Sequence, residues 1–328
     1  MWSFNTAAGA TVFSAWGIWI LVLAALFGFN EISRRFKWFG FFSFFILPVV
    51  LTLVWFFVMP EATYTDWFHL AKVYSVTAAC IIFWLIRFVQ KKDAAGKVLW
   101  RLADKKWVLT LPAIILAVNI LEAVSRDFQV GMMYFGTNSG PIEGEVTGVL
   151  GGSWNFMNGI AGILNIITIT GWFGIVIRKE IPQDKSRDML WPDMLWFWIL
   201  AYDLWNFTYV YNCLPTHSWY AGFALLLAAT LAAFTIGKGA WLQHRAATLA
   251  IWCMFAQTFP NFLDQGATMV VSTYNKAIYT FWGALSLASN VAVFIYMIYK
   301  VIKTRRNPYL GELYTDLTAY KAIKELAE

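Results

Sequence analysis

Charge is scarce in this sequence. Asp, Glu, Lys and Arg make up 13% of its 328 residues, against about 25% in ordinary soluble domains. With 59% hydrophobic residues, 19% aromatic residues and a mean hydropathy of +0.57, the chain carries more apolar surface than a soluble core of this size can hide. Cysteine is rare as well. Cys80, Cys213 and Cys253 form no CxxC and no Cys/His spacing, which argues against a disulfide framework and against structural zinc. His69, His217 and His244 are dispersed, and no HExxH or HxxxH occurs, so neither zinc catalysis nor any other cofactor is expected. A Walker motif and a GxGxxG are both missing, which argues against ATP-driven transport within the chain. The first ten residues, MWSFNTAAGA, lack the basic region of a cleavable signal, so the first apolar stretch is expected to stay in the mature protein.

What is present is a series of apolar stretches joined by short linkers. A helix needs about 20 residues to cross the hydrocarbon of a bilayer. Such stretches lie near 10–29, 38–58, 67–89, 107–127, 154–177, 190–212, 218–237, 247–264 and 277–302. The eighth is short and contains Pro260. All but Lys72, Arg126 and Lys276 of the 25 Lys and Arg residues fall in alternate linkers. These are Arg34, Arg35 and Lys37; the run from Arg87 to Lys106; Arg178, Lys179, Lys185 and Arg187; Lys238 and Arg245; and the basic residues from Lys300 onward. Positive charge resists translocation. The pattern therefore predicts an all-α polytopic membrane helix bundle of about nine transmembrane helices, with the N-terminus outside and the C-terminus cytoplasmic. One domain, 1–303, is expected, followed by an amphipathic tail, 304–328, resting on the membrane or on the bundle itself. The net charge of +6 is then a topology signal. Anionic lipid headgroups suffice as its partner, and nucleic acid is not expected. Trp38, Trp67, Trp107, Trp154, Trp191, Trp219 and Trp241 fall near the predicted interfaces, where amphipathic rings favour headgroup depth. The longest connection, about 128–153, is rich in Gly, Ser and Asn. It reads as an external loop with Glu143 and Glu145 facing outward.

Polar groups inside hydrocarbon need partners and often mark a pathway. Here they concentrate toward the predicted outer half. Asn119, Glu122 and Arg126 share one helical face; so do Asn158, Asn165 and Thr168; so do Asp203 and Asn206; and so do Gln257, Asn261 and Asp264. His69 and Lys72 add to them from the third stretch, and Asn290 from the ninth. At the helical rise, Asp203 lies ~20 Å from the inner edge, past the midplane. Glu122 is at comparable depth. The neighbours Arg126 and Asp127 sit where a snorkelling ion pair is the simplest account. Pro260 is expected to kink the eighth stretch, or to open it beside Asn261. Gly159 and Gly162 are small residues that permit close helix approach.

The strings WNFMNGIAGILNIITITGW, YDLWNFTYVYNC and WLQHRAATLA resemble a bacterial multispanning membrane family of unknown function, over roughly residues 107–300. The resemblance implies a bacterial cytoplasmic membrane and carries no catalytic or binding residue. Rhodopsin motifs are missing: Lys276 and Lys300 sit at the ends of the last stretch, with no lysine midway for a retinal Schiff base.

The expected function is a transporter or permease-like protein rather than an enzyme. It would hold a small polar or cationic solute in an outer-half cavity lined by Glu122, Asp203, Asn158, Asn206, Gln257 and Asn261. Lys72 or Arg126 would set the protonation of the acids or bind a solute carboxylate. Two other classes fit the composition. One is an intramembrane enzyme acting on a lipid or quinone through Glu122, Asp203 or His69. The other is a membrane sensor or assembly factor signalling through the basic 88–106 linker and the tail.

Overall fold

The computed structural model describes residues 1–60, 63–65, 67–141 and 147–327. It is mostly helical. Helix α1 (Val12–Arg35) starts at Thr11, whose hydroxyl accepts from the Ser14 backbone while the Ser14 hydroxyl accepts from Thr11. It ends in Arg34 and Arg35, cations at the negative end of the helix dipole. Helix α2 (Lys37–Phe57) widens into a π-turn over Phe42–Ile46, just before Pro48, which has no N–H to give. Helices α3 (Trp67–Phe88), α4 (Lys106–Met133), α5 (Ser153–Ile167) and α6 (Trp196–Cys213) follow. They lead to α7 (Tyr220–Phe234), α8 (Trp241–Thr258), α9 (Lys276–Thr304) and the short tail helix α10 (Thr318–Lys324). Five of these, α1 to α4 and α9, are long and apolar enough to cross a membrane. The whole is compatible with a helical membrane bundle.

Short antiparallel ladders modify the all-α expectation. Strand β1 (Trp2–Phe4) pairs with β8 (Val270–Ser272) and ties the N-terminus to the segment before α9. Strands β2 (Gln90–Lys92) and β3 (Val98–Arg101) make a hairpin out of the basic linker between α3 and α4. Strands β4 (Asn138–Pro141) and β5 (Gly148–Leu150) pair after α4; Glu143 and Glu145 lie outside the described residues. Strands β6 (Val176–Ile177) and β7 (Met189–Leu190) close the 178–188 loop. The β1–β8 ladder marks one end of the bundle, and the C-terminal tail packs at the other.

Helix α5 packs against α4 and α9, α6 against α9, and α8 against α3 and α7. Glycine lets α4 and α5 approach: a Cβ on Gly162 would fall 2.4 Å from Val124 Cγ2 and 2.6 Å from Trp205 Nε1. Two expected spans change shape. The fifth stretch stays helical only to Ile167, and the chain then runs irregularly to Leu195, turning at Gly171 with φ +63°, against Asp193. The eighth begins at Trp241 rather than 247 and stops at Thr258. Phe259 precedes Pro260 and is therefore pushed out of the helical region, and Asn261–Asp264 forms a separate turn.

Tryptophan splits into two classes. Trp38, Trp67 and Trp107 are exposed, as interfacial rings would be, whereas Trp154, Trp191, Trp219 and Trp241 are buried in the core. The tail rests on the bundle. Asp193 accepts from the backbone N–H groups of Leu313 (2.9 Å) and Tyr314 (2.9 Å), and the Tyr309 hydroxyl donates to the Ile167 carbonyl.

Candidate functional site: a cavity between five helices

A cavity of about 80 Å³ lies between α3, α4, α6, α7 and α8. Helix α8 gives it a continuous wall. Arg245, Leu249, Trp252, Cys253, Ala256 and Gln257 recur every three or four residues, so they share one helical face. At the helical rise that face is ~18 Å long. Toward the β1–β8 end the wall is polar. The Gln257 amide donates to the Tyr64 carbonyl, and Tyr64 stacks on His69 with ring centres 4.2 Å apart. His69 lies 5.9 Å from His217. Burial, and secondarily His69, push the His217 imidazole down to about 3, so it is neutral at pH 7. Its buried Nε2 has no partner among the described residues. One turn along α3 from His69, Lys72 Nζ reaches Glu122 Oε2 at 2.8 Å and Asn119 Oδ1 at 3.4 Å.

The other end of the wall belongs to Arg245. Its residue is 5% exposed, yet Nε and Nη1 have no hydrogen-bond partner among the described residues, and Nη2 reaches only Asn206 Oδ1 at 3.4 Å. No ion pair joins it to any described carboxylate. Asp203 is near enough to feel its charge, but the Asp203 carboxylate is engaged by the Thr230 hydroxyl at 2.6 Å. An ionised group taken out of water without a close counter-charge loses several kcal/mol of solvation. The two α7 residues on the wall, Ala221 and Leu225, lie in and just after a second π-turn, Tyr220–Ala224. Turns of this kind are frequent at functional sites.

The residues singled out from the sequence separate into groups. Lys72, Asn206 and Gln257 come together on the cavity wall, from three different helices. Glu122 and Asp203 are not lining residues: Glu122 is turned to Lys72 and Asp203 to Thr230. Asn158 belongs to a different network. It donates to Asp127 Oδ2 at 2.7 Å and accepts from the Ser286 hydroxyl at 2.6 Å, while Asn155 donates to Asp127 Oδ1 at 3.1 Å. Asp127 is thus buried among amides and not paired with Arg126, because adjacent residues on a helix face different ways. Arg126 bonds Gln129 Oε1 at 2.9 Å on the surface. Asn261 is exposed, beyond the end of α8. The sequence reading missed Arg245, which it counted among cytoplasmic charges. The clue was its place on the face of Gln257, Cys253 and Leu249, hidden because the helix was begun six residues late.

A second polar cluster lies at the tail end. The buried Asp188 accepts from Arg34 Nη1 at 2.7 Å, Arg178 Nε at 3.0 Å and the Gln243 amide at 3.0 Å. Arg87 donates to the carbonyls of Arg34 (2.7 Å) and Ser186. Burial alone would raise the Asp188 carboxyl; Arg34, Arg87, His244 and Arg178 overcome it and hold the group at about 2. This clamp fastens the 178–190 segment beneath α1, α3 and α8, and its charges are mutually satisfied.

Residues 9–326 match a family model described as a family of unknown function, DUF5692, and the chain belongs to that family. No curated protein and no solved structure matches it.

Proposed function

We propose that the protein is a permease-like transporter that binds a small polar solute in the cavity between α3, α4, α6, α7 and α8 and passes it by alternating access. In this reading α1 to α9 make nine crossings of a bacterial cytoplasmic membrane. The N-terminus is outside and the tail is cytoplasmic. The basic hairpin β2–β3, the Asp188 clamp and the tail share one end of the bundle, in keeping with retention of positive charge in the cytoplasm.

The observation that carries the proposal is the meeting of Lys72, Asn206, Arg245 and Gln257, from three helices, on one cavity wall inside an apolar bundle. Polar groups bound only for helix-to-helix hydrogen bonding would be satisfied by their neighbours, as Asn158 is. Among the described residues, Arg245 and His217 are not. The test is uptake by proteoliposomes containing the full chain, with a panel of small radiolabelled polar solutes. At least one solute should show saturable uptake that Asn206→Leu abolishes. Failure of the whole panel would overturn the reading.

The apolar part of the wall, Leu225, Leu249 and Trp252, favours one alternative: an enzyme acting on the head of a quinone or lipid. That alternative predicts a quinone or acyl chain co-purifying with the protein and lost with Leu249→Trp.

A further inference from the structure

We propose that the solute taken by this cavity is a small organic anion, a short-chain carboxylate, with Arg245 as its principal ligand and Asn206 beside it. The proposal rests on the reading of the cavity as a solute site and adds the sign of the solute's charge.

The argument begins with the lining. Among the described residues no Asp or Glu is part of it, whereas Lys72 and Arg245 are. The Lys72 charge is already balanced by Glu122 at 2.8 Å. Arg245 is different: it is enclosed, permanently charged, and keeps two N–H positions without an acceptor among the described residues. Buried polar groups are almost always hydrogen-bonded. A guanidinium left this way beside open space is suited to an incoming carboxylate, whose charge-assisted bonds are about twice as strong as neutral ones. Asn206 Oδ1 at 3.4 Å is a weak acceptor for Nη2, so an anion has little to displace.

Asp203 acts as the built-in competitor. When ionised it attracts Arg245 at longer range; one of its oxygens has no partner among the described residues, and the other is tied back by Thr230. An anion in the cavity would meet attraction from Arg245 and, from the ionised form of Asp203, repulsion. Neutralising each residue should move affinity in opposite directions. The size of the cavity, about 80 Å³, favours a solute of few heavy atoms. Trp252 on the wall supplies an optical report of occupancy.

The experiment is titration of the purified full chain in lipid nanodiscs, read by tryptophan fluorescence, with acetate, acetamide and methylammonium as probes of similar size and different charge. Acetate should saturate the signal, acetamide should bind more weakly, and methylammonium should not bind. Arg245→Gln should weaken acetate by roughly tenfold or more, and Arg245→Lys should restore part of the loss. Asp203→Asn should tighten acetate several-fold, a gain that no folding defect mimics. Circular dichroism checks that each variant stays helical. Saturation by methylammonium that Asn206→Leu removes would keep the solute cavity and overturn its anionic character. Absence of acetate saturation, or acetate binding indifferent to both Arg245→Gln and Asp203→Asn, would overturn the proposal outright.

Discussion

Single residues in this protein are used in two different ways that composition does not separate. Arg34 and Arg245 are both buried arginines, yet Arg34 is surrounded by Glu31, Asp184 and Asp188 while Arg245 has no carboxylate in contact among the described residues. The first holds the fold, and the second is the one to which the proposed solute would bind. Asp188 shows what the clamp contributes. Its carboxyl ionises more readily in the folded protein, at about 2, than at the ordinary value of 3.8. The folded state therefore gains from it at neutral pH; the gain shrinks as pH falls below 3.8 and is gone below about 2. Protection of the 178–190 amides against hydrogen exchange, taken relative to the intrinsic rate at each pH, should accordingly be constant from neutral pH to about 4 and fall below it. Asp188→Asn should remove about 3–5 kcal/mol at neutral pH, because it takes the buried counter-charge from Arg178 and one of three from Arg34. An unchanged melting temperature would show that the clamp is ornamental. Gly162→Ala tests packing in the same way. The new methyl would collide with Val124 and with the fully enclosed Trp205, and overpacking of that kind costs about 1–3 kcal/mol.

Among the elements, the tail departs most from a free amphipathic helix. Its first contact is backbone to side chain: Asp193 receives the N–H groups of Leu313 and Tyr314, and Glu312 pairs with Lys324 at 2.9 Å. Asp193→Ala leaves two buried N–H groups without acceptors. The stretch from 305 to 327 should then become the first site cut by protease added to inside-out vesicles, with the rest of the bundle resistant. Equal resistance in the variant and the parent would show that Tyr309 and the apolar contacts of α10 hold the tail alone. Helix α8 makes the complementary point. Its apolar residues suggested a start at 247, but Trp241, His244 and Arg245 are all enclosed and helical. Polar residues at a helix start read as linker when only hydropathy is weighed. Here they are covered by α1, by the 178–190 segment and by the cavity wall. His244, for instance, meets Asn30 at 3.1 Å and the Gly237 carbonyl at 3.1 Å.

At the scale of the whole molecule, the proposed topology has a direct test. A cysteine at Gly96, in the β2–β3 turn, should react with an impermeant maleimide only from the cytoplasmic face, and one at Thr6 only from outside. Labelling of both from the same face would reject the nine-crossing arrangement. The helical, membrane-compatible character of the chain was legible from apolar runs of bilayer length, because burial in lipid depends on composition and period alone. Charge segregation was equally local, since each linker declares its own sign. The meeting of polar side chains was not local. Sequence spacing places Asn206 and Asp203 on one helical face, but only the packing of α6 against its neighbours turns one toward Arg245 and ties the other to Thr230. Amides at 158 and 206 look alike along the chain, and whether one bonds Asp127 or faces open space depends on which helix lies opposite. Sequence by itself determined the apolar, helical material of the bundle. Tertiary structure alone decided which charges were cancelled and which were left exposed to a cavity, because a counter-charge is a matter of ångströms in space and not of distance along the chain.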